Sequence, residues 1–406
     1  MGQDTCKLLF LGYYFEPDIT AAAFRSTDFV EYMRGRNVDV RVITSYPHKI
    51  QGEEGLSPEN PDQIRRIKLK KVKQRGFMGF LLHYLSFIPK SLVYSLKWRF
   101  RGWKPDVVFI SSPPIFIGIT GVMLRFLFRK KLILEIRDIW PDSAVAAGQL
   151  SKGGVAYKVA SVFERFLYRR SHGIVCVSTP MKEYIEQYYR RDICVAYNGP
   201  KAQYLSEVTK DLNNNNNRTA RIAYAGNLGL VQGMDQLIKA FDVLKSRELA
   251  HDWHLDIYGT GVLEEELQKM SKELGLNENI HFHGVFPKAA LSEHLNNSDV
   301  LYLGLISSEA LDKTIPSKLF DYMMFGKPIL AAITGEGKDI LNENKANLVL
   351  ESCNDQAIAS GIMELDISLK ERSLSSERNK ELLQGKYTRE VNCEKIHRYI
   401  LKVLEK

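Results

Sequence analysis

The chain has 406 residues, of which 45% are hydrophobic and 26% charged, the proportions of an ordinary globular protein, so bulk disorder and fibrous repeats are excluded. That length predicts two domains of roughly 200 residues each. The formal net charge is +8, and three basic clusters lie in the first third: Lys68 to Arg75, Lys90 to Lys104, and Arg125 to Lys131. Such clusters, interleaved with Phe, Leu, Tyr and Trp, suit either a solvated positive face or an anionic surface. No recognition motif for nucleic acid accompanies them, so nucleic acid is not the expected partner. The five cysteines are scattered with no C-x-x-C pair, which predicts reduced thiols in a cytosolic protein and no four-ligand zinc site.

The apolar stretch at 7–12 is too short for a signal peptide and leads directly into patterned sequence. The first half then alternates: strand 7–13, helix 21–34, strand 38–44, strand 107–111, helix 115–128, strand 132–136, helix 155–169, strand 173–177 and helix 180–189. The loop after the first strand carries Glu16 and Asp18. With Arg25 on the following helix, these are placed at the carboxyl edge of the sheet, facing the cleft. The segment 75–101 joins Phe77, Met78, Phe80, Leu81, Leu82, Tyr84, Leu85 and Phe87 to basic residues, as an interfacial helix would. Core packing of the same apolar residues is the competing reading. Residues 107–124 form a run of 18 without a charge, but Ser111-Ser-Pro-Pro114 argues for a strand, a turn and a helix rather than a membrane span. Glu135-Ile-Arg-Asp-Ile-Trp-Pro-Asp142 leaves its strand at Arg137 and Asp138. Charged groups at the end of an inner strand are costly to bury unless paired, so both are either structural or functional.

The pattern loosens at the asparagine run near 210–218, which reads as a loop close to a domain boundary. We place the domains at 1–205 and 206–387, with a cationic amphipathic helix over 392–405 (about 388–406 with its lead-in) that can pack back onto the first. The alternation restarts with strand 222–225, helix 233–246, strand 253–258, helix 263–274, strand 280–283 and strand 300–304. Alternation of this kind predicts α/β architecture with two doubly wound, Rossmann-like parallel sheets facing a central cleft. Glycines 226, 229 and 233 open a helix after a strand, where backbone can approach a phosphate. Tyr258-Gly-Thr-Gly261 and His283-Gly-Val-Phe-Pro287 end the next two strands.

The segment Lys313-Thr-Ile-Pro-Ser-Lys-Leu-Phe-Asp321 follows. Ser317 is expected to cap a short helix over 317–324, placing a hydroxyl and Lys318 beside free N–H groups suited to phosphate, with Asp321 four residues on for a ribose hydroxyl pair. No D-x-D pair occurs in the sequence, so the usual carboxylate clamp for a divalent ion is missing and no metal site is assigned.

The order Gly226-Asn-Leu-Gly, Tyr258-Gly-Thr-Gly, Gly284-Val-Phe-Pro, Pro316-Ser-Lys-Leu-Phe-Asp-Tyr and Gly326-Lys-Pro resembles the retaining family 4 glycosyltransferases of GT-B fold. Arg137-Asp-Ile-Trp-Pro-Asp142 is similar to the WbuB-type subgroup that builds bacterial O-antigen and capsule. The resemblance implies a nucleotide-sugar donor, UDP-linked, held by the second domain, and a polyprenyl-diphosphate-linked glycan acceptor held by the first at the inner face of the cytoplasmic membrane. It implies no cofactor. Asp321 would bind the ribose, the backbone at Val285 and Phe286 would meet the base, and Ser317 with Lys318 would contact the diphosphate. Gly226, Asn227, Gly229, Gln232 and Gly259 would line the donor site, and Glu336 would lie near the sugar or the cleft mouth. Asp138 and Lys318 are the catalytic candidates; Glu16, Arg25 and Arg137 are the acceptor-side candidates. The chain departs from the family pattern at Asn227 and Gln232, where a cation is usual, and at Lys313, where a glutamate is usual. Asp321 stands for a second glutamate, Asp138 for a histidine, and Glu309 or Asp312 is available to replace the first. A nucleotide-sugar 2-epimerase and a non-catalytic nucleotide-binding homologue are the alternatives.

Overall fold

The computed structural model describes residues 5–18, 20–47, 62–69, 77–146, 148, 150–207, 219–249, 252–307, 311–370 and 377–405. Lys70, Lys71, Lys73, Arg75, the asparagine run and Glu309 lie outside these residues. The chain divides into two compact units, 1–198 with 389–406, and 199–388. The crossing thus falls at 198/199, where the sequence placed it at 205/206.

In the first unit, β1 (Lys7–Gly12), β2 (Asp39–Ser45), β3 (Ile64–Ile67), β4 (Val107–Ser111), β5 (Lys131–Ile136), β6 (Gly173–Cys176) and β7 (Ile193–Val195) are joined in the order β3-β2-β1-β4-β5-β6-β7 among the described residues. Every pairing is parallel. Apart from Lys7 at the start of β1 and Ser111 at the end of β4, both strands are apolar and buried, as inner strands covered by helices on both faces must be. They pair directly, with Leu8 opposite Val107, and strand order reverses between them. In sheets of this kind ligands bind beyond the carboxyl ends at that reversal.

The second unit repeats the plan. β8 (Ala220–Ala225), β9 (Trp253–Tyr258), β10 (Ile280–Gly284), β11 (Val300–Gly304), β12 (Ile329–Ala332) and β13 (Leu348–Val349) lie in the order β10-β9-β8-β11-β12-β13, again with all pairings parallel. The reversal falls between β8 and β11.

The uncharged run 107–124 becomes β4 and the buried face of the helix Ile117–Phe128. No helix among the described residues is long and apolar enough to cross a membrane. In the described part of the segment 75–101 the second helix takes up the core packing that was the competing reading. The helices are Phe77–Leu85 and Phe87–Phe100, and Phe87, Ser91, Ser95 and Trp98 are buried. These residues recur on one face of the second helix, which packs on the helix Ile117–Phe128; the Ser91 and Thr120 hydroxyls meet there at 3.1 Å. Tyr84, Leu85 and Leu92 pack against the same core.

The helix Arg389–Glu405 packs on the first unit. It buries Asn392, Cys393, Ile396, Tyr399, Ile400 and Val403. The Asn392 Oδ1 accepts from the Tyr197 N–H (2.9 Å), and the Tyr399 hydroxyl accepts from the Ile174 N–H (3.1 Å) while donating to the Asp192 carbonyl (2.5 Å).

Candidate functional site

In the second unit the loops that follow β8, β9, β10 and β11 are tied together at the carboxyl edge of the sheet. The Gly226 N–H donates to the Tyr258 carbonyl (2.8 Å), Leu228 to Thr260 (3.0 Å), Gly259 to Gly284 (2.7 Å) and Ile306 to Val231 (2.9 Å). Two glycines permit this closeness. A Cβ at Gly226 (φ +152°) would strike the Lys318 side chain, and one at Gly259 (φ +135°) would strike the Gly226 carbonyl. Lys318 thus lies across the glycine-rich turn, near the strand-order reversal. Its ammonium lies 4.1 Å from the centre of the Tyr224 ring and donates to the Tyr224 hydroxyl, which itself donates to the Asn227 carbonyl (2.7 Å). Burial lowers the Lys318 ammonium to about 8, against the opposing pull of Asp321.

The short helix Ser317–Met323 begins one residue away from the expected cap. Pro316 occupies the N-cap position, and no side-chain hydrogen bond caps the helix. With proline supplying no side-chain acceptor, Ser317 falls in the first turn, and the correction moves its hydroxyl into the helix proper. Tyr322 anchors the other end of the turn: its hydroxyl accepts from the Ala225 N–H (2.8 Å). Asp321 is exposed on the same helix. Gln232 turns inward, its Oε1 accepting from the Gly229 N–H (3.0 Å), so it shapes the turn itself. Glu336 opens the helix Glu336–Asn342, and Asp312 is held by the Thr334 hydroxyl.

The loop after β10 rests on an aromatic and ionic stack. The Phe286 ring packs edge-on to Tyr258 (5.7 Å) and His294 (4.8 Å), leaving Val285 outward and exposed. Tyr258 stacks on His283 (4.8 Å), whose Nε2 meets the Asp256 carboxylate at 2.7 Å. Asp256 is buried, which would raise its pKa, but Arg221 and His283 hold it below the ordinary value.

In the first unit, Asp138 and Arg137 follow β5 at the carboxyl edge. Burial raises the Asp138 carboxyl above its ordinary value, with Arg137 pulling the other way. Arg137 donates to the Ser112 carbonyl at 2.7 Å. Glu16 is partly buried after β1; its N–H donates to the Thr27 hydroxyl (3.0 Å) and its carbonyl accepts from Arg66. Arg25 does not face outward. It is 3% exposed, pairs with Glu135 at 2.9 Å, and donates to the Ala196 (2.9 Å) and Tyr197 (2.8 Å) carbonyls. Arg25 therefore serves the fold rather than an acceptor. Burial would raise the Glu135 carboxyl, but Arg25, Arg137 and the Ser111 hydroxyl hold it below the usual range.

Residues 20–199 match the family described as Glycosyl transferase 4-like domain, and residues 206–381 match Glycosyl transferases group 1. The chain belongs to the group 1 glycosyltransferases. The putative colanic acid biosynthesis glycosyl transferase WcaI of Escherichia coli (strain K12) is 26% identical over 349 residues, which cover 81% of this chain and 83% of that one. The probable glycosyltransferase WbjE of Pseudomonas aeruginosa is 24% identical over 256 residues, 61% of this chain and 62% of that one. Among solved structures, a sucrose-phosphate synthase from Thermosynechococcus elongatus superposes with a TM-score of 0.75 at 12% identity, covering 98% of this chain and 99% of that one. Anabaena HepE in complex with UDP and glucose gives 0.67 at 15% identity, covering 98% and 100%. At those identities the likeness establishes the GT-B fold.

In this glycosyltransferase the sequence reading missed Tyr224 and Tyr322. Both lie inside apolar runs, where a tyrosine looks like core. The one available signal is that Tyr224 stands two residues before Gly226, so its hydroxyl must end near the turn.

Proposed function

We propose that the chain transfers a hexose or N-acetylated amino sugar from a UDP-linked donor, held by its second unit, to a membrane-lipid-linked glycan, with retention of configuration and without a metal. The single observation that carries this reading is Lys318, seated over Gly226 on the Tyr224 ring beside the glycine-rich turn. The relative named for colanic acid biosynthesis and the HepE complex with UDP support it; in this reading the reaction belongs to bacterial surface polysaccharide synthesis and takes place at the inner face of the cytoplasmic membrane.

In the proposed mechanism Lys318 and nearby backbone N–H groups neutralise the departing diphosphate, whose charge grows toward the transition state. Asp321 binds the ribose, the backbone at Val285 and Phe286 meets the base, and Ser317 contacts the diphosphate. Asp138 orients the donor sugar, and Glu336 lies toward it. The leaving phosphate takes the acceptor proton, so no enzymatic base is invoked. A thermal-shift screen across UDP, GDP and TDP is expected to single out UDP, because a bound ligand raises stability by mass action. Lys318→Ala should lower turnover about a hundredfold; near-full turnover in that variant removes Lys318 from the chemistry. Conversion of the donor sugar without any acceptor would replace this reading with the epimerase.

A further inference from the structure

The amino edge of the first sheet, opposite the carboxyl edge that carries Asp138, has its own pattern. Helices Phe87–Phe100, Ile117–Phe128 and Val155–Arg170 pack side by side, and each runs down to that edge before the next strand begins. Each ends by exposing a phenylalanine: Phe100 (84% exposed), Phe126 (57%) and Phe166 (41%). Arginines are threaded among them. The Arg170 guanidinium lies over both Phe126 (5.7 Å) and Phe166 (5.3 Å), and Arg125 lies over Phe126 (5.5 Å).

Along the last helix the exposed side continues apolar. Val155, Val159 and Val162 precede Phe166 at spacings of four, three and four, which is one stripe of a helix, while Ala160, Glu164 and Leu167 fill its buried side. Gly118 lets the neighbouring helix approach closely, since a Cβ there would meet Leu167 at 2.6 Å. With the two helices this close, the Arg170 guanidinium over both rings joins Phe126 to Phe166 and its stripe.

Beside that surface a groove of about 970 Å³ is lined by Arg125, Phe126, Arg129, Lys130, Lys131 and His172, and an adjoining hollow of about 630 Å³ adds Arg190, Arg191 and Lys402. The two carboxylates on these walls are already engaged, Asp106 with Lys130 at 3.0 Å and Asp192 with Lys402 at 2.6 Å. Basic residues at helix carboxyl ends complement the helix dipole without any partner. That explanation does not cover the exposed phenylalanines or the valine stripe that runs into Phe166, because an apolar face of this kind gains nothing from facing water.

We propose that this edge docks on an anionic lipid bilayer, with the phenylalanines and valines entering the headgroup boundary and the basic groove seated on lipid phosphates. A nucleic acid would match the charge but leave the apolar stripe unused. The surface gives the lipid-linked-acceptor reading its anchor and rests on that reading for its purpose.

The test is flotation of the full chain with vesicles of phosphatidylcholine and phosphatidylglycerol in equal parts, against phosphatidylcholine alone. Binding to the anionic vesicles only, weakened by added salt, is expected. Phe126→Ser combined with Phe166→Ser should weaken it about tenfold with an unchanged melting temperature. Leu82→Ser with Val93→Ser, exposed positions away from the edge, should leave it intact. Equal binding to neutral vesicles, undiminished binding by the double phenylalanine variant, or no binding at all would overturn the proposal. The readout needs neither donor nor acceptor, so loss of UDP binding in the thermal-shift screen would sink the donor reading while leaving docking untouched.

Discussion

A single lysine concentrates the electrostatics of the second unit. Lys318 sits where burial lowers its ammonium to about 8, so in the unliganded protein it loses its charge just above neutrality, while a diphosphate beside it favours the charged form. The KM for the donor is therefore expected to rise as pH increases through about 8, and a donor titration from pH 7 to pH 9 reads this directly. A flat profile in the wild type would detach Lys318 from donor binding. The glycine turns and Lys318 could be picked out of the sequence because their spacing places them at strand ends. Arg25 could not be read correctly, because it lies on a helix and its partner Glu135 is 110 residues away on a strand. Gln232 stood as a missing cation in the sequence and proves to be a turn-forming acceptor, a role visible only once the Gly229 N–H has a direction.

At the level of elements, the inner strands were readable because β1, β4 and β11 each hold an apolar run of four or more residues. The edge strands escaped: Ile64-Arg-Arg-Ile67 carries two charges, and Leu348-Val349 is only two residues long. The helix Val155–Arg170 holds a further tension. On its inner side Glu164 is fully buried, accepting from the hydroxyls of Tyr168 (2.6 Å) and Tyr184 (3.0 Å), and burial pushes its carboxyl up to about 7. A folded-state pKa raised above the ordinary 4.5 means that the protonated carboxyl stabilises the unit. That contribution is complete below about 4.5 and is lost as pH rises through about 7. Glu164→Gln should thus raise the melting temperature of the first unit at pH 8, by an amount equivalent to about 2–3 kcal/mol, and change little at pH 4. Melts of the two proteins at those pH values decide it; equal stability at pH 8 would mean the carboxyl is relieved by some other contact.

For the whole molecule, the first unit is assembled from two distant stretches of chain. Ile396, Tyr399, Ile400 and Val403 complete a core that includes Leu8, Val40, Val107, Ile133 and Val175. Buried side chains of this kind contribute about 1.5–3 kcal/mol each, so four of them together rival the typical net stability of a domain, about 5–15 kcal/mol. A chain ending at Thr388 is expected to keep a folded second unit but to lose cooperative melting of the first, as calorimetry on the truncated protein would reveal; two intact transitions would contradict it. The division into a continuous second unit and a split first unit also sets an order of events during translation. The 190 residues of 199–388 leave the ribosome before the closing helix exists. At about 5–20 residues per second that is a wait of about 10–40 s. Throughout it the nascent first sheet has one face without its lid, a window in which chaperone capture competes with self-association.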